Sequence, residues 1–192
     1  MQFCRTLILF LFLSGLAHAR VEIPTNLNNE DRIKVLEILG FGTNSKTLTD
    51  PYPLGGFAGF EVGVQMEAIS VKDLGNLGAT SKSQDFFFYP QISFAKGVYR
   101  NLDFFLHFIP FSQGTGISEY GGIARWGFYQ MAYFPISFSI QANADSANIN
   151  NQLITKNFGL DLTAGLTAQN FYMYTGLGQT QTQGKFIGGP EG

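Results

Sequence analysis

Few residues of this chain could act as an acid, a base or a nucleophile, and His107 is the first to consider. It is the one histidine outside residues 1–19, and Asp103 precedes it by four positions. Two such residues of a β-strand share a face but lie ~13 Å apart along the chain, so they form no dyad by themselves. The available serines follow no motif spacing; they are Ser93, Ser112, Ser137 and Ser139. We therefore predict no catalytic residue and expect His107 to hydrogen-bond inside the fold.

Charged residues at inward-facing strand positions are the second candidate for a site. A buried charge without a partner is costly, so the one arginine among these carboxylates should be paired. We predict an interior, lumen-facing network around Arg125. Its members are Glu61, Glu67, Asp103, His107, Glu119, Arg125 and Asp161. The alternative role for these charges is a charge-selective constriction of a pore.

Neither a cofactor nor a metal ion is predicted. Gly114, Thr115 and Gly116 lack the strand-to-helix context of a phosphate-binding loop. Asp145 and nearby asparagines could ligate calcium, but the ligand order of an EF-hand is absent, so we interpret 144–157 as a solvated loop.

Composition and charge limit the classes of function. The chain has 12 Lys and Arg against 14 Asp and Glu, with no basic stripe to neutralise phosphates, so nucleic acid is not an expected partner. Charged residues make up 14% of the chain, whereas soluble domains average about a quarter. Together with 20 Phe and 23 Gly, this composition suits a surface that partly faces lipid.

Residues 1–19 have the pattern of a secretory signal peptide. Arg5 provides the positive start, an apolar run covers 7–16, and Ala17-His18-Ala19 predicts cleavage after Ala19. Cys4, the only cysteine, lies before the apolar run, so it does not fit a lipid-attachment site. We expect an exported protein without disulfides.

Residues 20–52 predict a periplasmic segment with one short amphipathic helix and a linker. Asn28 or Asn29 can cap the helix, and Gly40 can end it. The apolar stripe consists of Ile33, Val35, Leu36 and Leu39. We expect this helix to pack on the rim or to fray; the alternative is a plug or a partner-binding helix.

Residues 53–192 form the predicted β-barrel domain, because the apolar period changes to two from Phe57 onward. Seven strands are predicted, at 60–68, 86–95, 102–109, 119–128, 134–143, 158–167 and 171–178. One face of each strand is apolar, and the other is rich in Gly, Ser, Thr and Gln, as a narrow barrel interior requires. The predicted fold is all-β: an antiparallel up-and-down transmembrane β-barrel of about seven or eight strands with a short N-terminal helix.

The connections between these strands alternate in length. Long polar loops are predicted at 71–84, 111–118 and 144–157, and tight turns at 99–101, 130–132 and 169–170. This asymmetry predicts outward-facing long loops and a periplasmic helix at the opposite end. Aromatic residues near the strand ends would form interfacial girdles; they are Tyr99, Tyr120, Trp126, Tyr129 and Tyr133.

In its leader, its alternating strands and its loop asymmetry the chain resembles small Gram-negative outer-membrane β-barrel proteins. The resemblance covers 1–19 and roughly 57–178. It implies outer-membrane lipid and the barrel-assembly machinery as partners, and it leaves oligomerisation open. Such proteins usually end in a strand with a final aromatic residue, whereas residues 187–192 here read IGGPEG. The seven predicted strands also differ from these proteins, whose barrels have an even number of strands. A missing final stretch is the expected explanation; an eighth strand at 179–188 or parallel pairing of the first and last strands are the alternatives.

Three functions follow from this sequence. The first is a non-enzymatic outer-membrane barrel with a structural or narrow-pore role. The second is an exported soluble β-barrel that binds an apolar ligand with inward-facing apolar side chains. The third is an outer-membrane hydrolase, for which His107 is the only support.

Overall fold

Seven antiparallel strands form one curled sheet, a half-barrel in which each strand pairs with the next along the chain. The computed structural model describes residues 21–44, 52–79, 85–109, 116–131, 134–168 and 171–187. The strands are β1 (Phe60–Ser70), β2 (Phe86–Tyr99), β3 (Leu102–Phe108), β4 (Ile117–Gln130), β5 (Ile136–Ile149), β6 (Leu153–Ala168) and β7 (Phe171–Phe186). The all-β antiparallel prediction is confirmed. The predicted signal peptide, Ser112 and Tyr133 lie outside the described residues.

The predicted long loop at 144–157 is wrong. β5 and β6 continue through it and stay paired up to Ile149 and Leu153, leaving a tight turn in which Asn150 and Asn151 adopt positive φ angles of 53° and 55°. Asparagine tolerates this conformation, so the turn suits its residues. The period-two signal was hidden because the apolar residues change faces here. Outward residues such as Ser146 and Lys156 are polar, whereas Ile149 and Leu153 on the inward face are apolar.

The described residues form seven strands, and residues 179–186 belong to β7. Their pairing with β6 continues to Phe186 opposite Leu153. The predicted eighth strand at 179–188 is therefore wrong, because alternating Gln and Thr residues extend β7 without a turn. Parallel pairing of the first and last strands is not present either: in the described part of the chain, β1 and β7 are the two edges of the sheet.

The N-terminal segment packs onto the concave face of the sheet. α1 (Asn29–Val35) continues into a π-helical turn (Leu36–Gly40), and the Asn28 side chain caps it by accepting a bond from Asp31 N at 2.8 Å. Val35 and Leu39 are fully buried in a core with inward-facing apolar residues of the strands. Those residues are Ile69, Phe87, Tyr89, Ile109, Ile117, Ile149 and Leu153.

The position of this helix corrects two predictions. Ile33, assigned to the apolar stripe, is 57% exposed, and the buried face is centred on Val35 and Leu39. The helix also lies at the end of the sheet where the 71–85 and 109–116 connections lie, not at the opposite end. It lies there because the inward-facing residues of the strands are apolar at this end of the sheet. We call this the long-connection end of the sheet.

The opposite end of the concave face is covered by residues 52–59. Leu54 packs against Ala95, Phe105 and Ile123. Gly97 N donates to Gly59 O at 3.1 Å, and Gly97 lies so close to the backbone of Gly56 that a side chain at position 97 would collide with it. Both ends of the half-barrel are thus covered from inside by chain that precedes β1.

Replacement of Leu39 by alanine tests the packing of the helix. We expect Leu39→Ala to lower the free energy of unfolding by about 2–5 kcal/mol, because it empties a fully buried position. Ile33→Ala, on the exposed side of the same helix, is the matched control and should change it by less than about 0.5 kcal/mol. Equal effects of the two substitutions in denaturant titrations would contradict the described packing.

Candidate functional site

The concave face between the two covered ends carries the buried polar side chains. Arg125 of β4 lies directly opposite Asp103 of β3 in the strand register. The Arg125 Nη2 atom is 2.9 Å from Asp103 Oδ2, and Nε donates to the same oxygen at 3.2 Å. Arg125 is 1% exposed and Asp103 is fully buried. A β-ladder therefore aligns an ion pair in a place that solvent hardly reaches.

Further partners offset the cost of burying these two charges. Leu54 N donates to both carboxylate oxygens of Asp103, at 3.3 and 3.2 Å. Arg125 Nη2 donates to Tyr52 O at 3.0 Å, and its guanidinium carbon lies 4.6 Å from the centre of the Phe105 ring. A buried ion pair is favourable only when its remaining donors and acceptors are satisfied in this way. The Asp103–Arg125 ion pair thereby holds residues 52–54 against the concave face of the sheet.

A second group, which we call the Glu119 cluster, consists of Glu67, Tyr89, Gln91, His107 and Glu119. Tyr89 OH donates to Glu67 Oε2 at 2.7 Å, and Gln91 Nε2 donates to Glu119 Oε1 at 3.3 Å. The Nε2 atom of His107 is 3.6 Å from Glu119 Oε1. All five residues are buried. Glu119 is six residues before Arg125 on β4, so the two groups are ~20 Å apart along that strand.

A third set of polar contacts crosses β5, β6 and β7. Asn143 Nδ2 donates to Asp161 Oδ2 at 2.8 Å, and Asn157 Nδ2 donates to Asp145 Oδ1 at 2.7 Å. The chain of contacts reaches β7 because Thr182 Oγ1 donates to Asn157 Oδ1 at 2.7 Å. These side-chain contacts link neighbouring strands on the concave face, in addition to the backbone hydrogen bonds of the sheet.

The structure divides the residues of the predicted network among these groups. It brings Asp103 and Arg125 together, as the sequence analysis expected of the lone arginine. Glu67, His107 and Glu119 lie in the other cluster, Asp161 bonds Asn143, and Glu61 lies half-buried on β1 opposite Ala95.

Several interior residues were missed by sequence reasoning. Tyr89 and Gln91 had a usable signal, because they alternate with the outward aromatic residues of β2 and pair with Glu67 and Gln65 of β1. No such signal was available for Asp145 and Asn157, because both lie in the segment that was predicted to be a loop. Asp145 is in fact a strand residue, 7% exposed, and not a loop ligand for calcium.

The surroundings of His107 include a serine, because Ser93 of β2 lies opposite it in the strand register. A serine hydrolase directs the histidine Nε2 atom at its nucleophile, whereas Nε2 here faces the Glu119 carboxylate. His107 is also 4% exposed, and Gly121 lies so close to it that a Cβ at position 121 would be 2.5 Å from Nε2. Within the described residues, no three His, Cys, Asp or Glu side chains are placed to hold a metal ion.

Comparisons of the chain with protein-family models, curated proteins and solved structures found no match. None of the helices in the described ranges is long and apolar enough to cross a membrane.

Removal of one partner of the buried pair tests its role. We expect Asp103→Ala to lower the free energy of unfolding by about 3–5 kcal/mol, because it leaves the Arg125 guanidinium buried without its carboxylate. The double variant Asp103→Leu with Arg125→Met should recover most of this loss, because both charges are removed together. Denaturant titrations measure both, with Asp161→Asn at a half-buried site as the control. A loss below about 1 kcal/mol for Asp103→Ala would contradict the assigned role.

Proposed function

We propose that this chain is a bacterial outer-membrane protein, with the convex face of its sheet in lipid and a structural or narrow-pore role that involves no catalysis. One observation supports this proposal above the others: the convex face is apolar across all seven strands. Apart from Thr175, every outward-facing residue in seven ranges is Gly, Pro, Met, aliphatic or aromatic. The ranges are 60–68, 86–94, 102–108, 120–128, 136–144, 158–166 and 171–177.

The exposure of these side chains is large. Leu177 is 84% exposed, Val64 66% and Phe158 63%. Contiguous apolar patches on soluble monomers seldom exceed a few hundred Å². A continuous apolar surface across seven strands is therefore expected to contact something other than water, and hydrocarbon is the solvent that suits it.

The length of the apolar band is close to that of a membrane-spanning strand. The band covers seven to nine residues of each strand, whereas a tilted transmembrane β-strand needs about 9–11. Beyond the band, at the long-connection end, most outward residues are polar: Ser146, Asn148, Lys156, Gln183 and Lys185, with Ile154 as the apolar exception. The exposed side chains of Tyr120 at this border, and of Tyr99, Trp126 and Tyr129 toward the other, are placed as interfacial girdles require.

The interior favours a structural role or a narrow pore. The concave face is filled by its own polar side chains and by residues 21–44 and 52–59. Bulk diffusion of solutes would need a wider lumen, as larger barrels provide.

The soluble-barrel alternative requires the opposite arrangement. A barrel that binds an apolar ligand would direct its apolar faces inward, whereas the concave face here carries buried residues such as Gln91, Asn143 and Asn157. Export through a signal peptide cleaved after Ala19, and insertion by the barrel-assembly machinery, belong to the same proposal.

Two arginine substitutions on the convex face test the proposal. Leu162→Arg lies within the apolar band and Gln183→Arg in its polar extension, opposite Lys156, and both sites face outward. If the band lies in lipid, Leu162→Arg should lower the free energy of unfolding from phospholipid vesicles by about 2–4 kcal/mol, and Gln183→Arg by at most about 1 kcal/mol. On a surface that faces water, both changes would stay within about 0.5 kcal/mol.

Equal and small effects of the two substitutions would therefore overturn the proposal. Recovery of the wild-type protein in isolated outer membranes is the accompanying test of its location.

A further inference from the structure

The charged side chains of the strands are divided by sign between the two faces of the sheet. Within the described strands, every carboxylate lies at an inward position and every lysine at an outward position. The lysines are Lys96 of β2, Lys156 of β6 and Lys185 of β7. A lysine of these strands therefore has no strand carboxylate on its own face of the sheet.

Two of the lysines are neighbours at the long-connection end. Lys156 lies opposite Gln183 in the strand register, and Lys185 is the next outward residue after Gln183 on β7. Such diagonal neighbours on one face of an antiparallel pair are ~7–8 Å apart, within reach of long side chains. Both lysine side chains are exposed, so their ammonium groups can meet on one anion.

Neither of these two ammonium groups has a carboxylate partner in the described part of the chain. Lys96 differs from them, because its ammonium group donates to the Phe57 carbonyl oxygen. Strand carboxylates at the same end of the sheet, such as Glu119 and Asp145, are buried on the concave face. Two like charges repel each other at this separation, so the pair favours an anion that comes from outside the chain.

The position of the two lysines relative to the apolar band indicates the kind of anion. Lys156 is the next outward residue beyond Phe158, where the apolar range of β6 begins. A lysine at the border of an apolar surface extends its ammonium group toward the polar side. With the band in hydrocarbon, both ammonium groups lie at the level of the lipid headgroups, where anionic lipids carry their negative charge.

We propose that Lys156 and Lys185 bind the phosphate of an anionic lipid headgroup, whose acyl chains lie along Phe158 and Leu160. The inference rests on the proposed function, because it requires the convex face to lie in lipid. Gln183 lies between the two lysines, and its side-chain amide can donate to a phosphate oxygen. A free phosphate would contact these polar groups alone, whereas a lipid also covers Phe158 and Leu160, which are 63% and 57% exposed.

Quenching of tryptophan fluorescence by brominated lipids tests this site in the full chain. Trp126 is the only tryptophan, so Trp126→Phe gives a background without one. In this background, Phe158→Trp places a reporter two residues from Lys156, and Phe171→Trp places it at the other end of the β6–β7 pair. Both sites face outward and are exposed. The vesicles contain phosphatidylcholine and phosphatidylglycerol, and either one or the other carries brominated chains.

We expect the reporter at position 158 to prefer phosphatidylglycerol over phosphatidylcholine by about fivefold or more, because one lysine near an anionic membrane surface already favours binding by about that factor. The reporter at position 171 should show no preference. Lys156→Gln with Lys185→Gln should remove the preference, and Lys156→Arg with Lys185→Arg should retain it, because arginine keeps the charge. Lys96→Gln is the matched control and should leave the preference unchanged.

Quenching by brominated phosphatidylcholine separates this inference from the proposed function. Quenching at positions 158 and 171 without a preference for phosphatidylglycerol at 158 would overturn the lysine site and leave the proposed function in place. A preference that survives Lys156→Gln with Lys185→Gln would also overturn the site, because the anionic lipid would then be held elsewhere. Absence of quenching at both positions would overturn both proposals.

Inorganic phosphate distinguishes a lipid headgroup from a free phosphate as the ligand. Sodium phosphate and sodium chloride at equal ionic strength should weaken the preference at position 158 equally, because both act by screening the charges. A loss of the preference in phosphate but not in chloride would show that the two lysines bind free phosphate, and would overturn the assignment to lipid.

Discussion

Polar side chains on the concave face must find partners within the protein, because almost no solvent reaches them. Asp103, Gln91 and Asn143 are each at most 2% exposed, and a buried polar group without a hydrogen bond is costly. The observed partners are mostly on the neighbouring strand, as for Asp103 with Arg125 and Asn143 with Asp161. The same requirement accounts for the position of residues 52–54 on the concave face of the sheet, because their backbone groups complete the hydrogen bonding of the ion pair.

This requirement also accounts for the composition of the chain. The outer face is apolar, and the inner face carries polar residues that pair across the curve of the sheet. Glycine fits positions where inward side chains approach closely, as at Gly121 between His107 and Asp145. The small share of charged residues is consistent with this interior, because each buried charge needs a partner.

The strands whose outer residues are apolar could be predicted from the sequence. Their period of two was visible from Phe60 to Asn143 and again from Phe158 to Gly178, and the partnership of Arg125 with an acidic residue followed from the cost of an unpaired charge. At the ends of β5 and β6 the apolar residues change from the outward to the inward face, so this segment was interpreted as a loop. Residues 179–186 were separated from β7 because both faces of the strand are polar there. The identity of the acidic partner could not be predicted. It depends on strand register, which places Asp103 opposite Arg125 and Glu119 six residues away.

The contacts of the N-terminal helix with the end of the chain have a consequence for the order of folding. Leu36 packs on Gly184 and Gly40 on Thr182, so the first helix of the described residues is covered by their last strand. Hairpins of neighbouring strands can form as soon as each is available, since all sheet contacts are local in sequence. The helix can pack on Ile69 once β1 is available, but its side toward β7 stays uncovered until that strand forms. Of the described elements it is the first to be synthesised and the last to be fully covered.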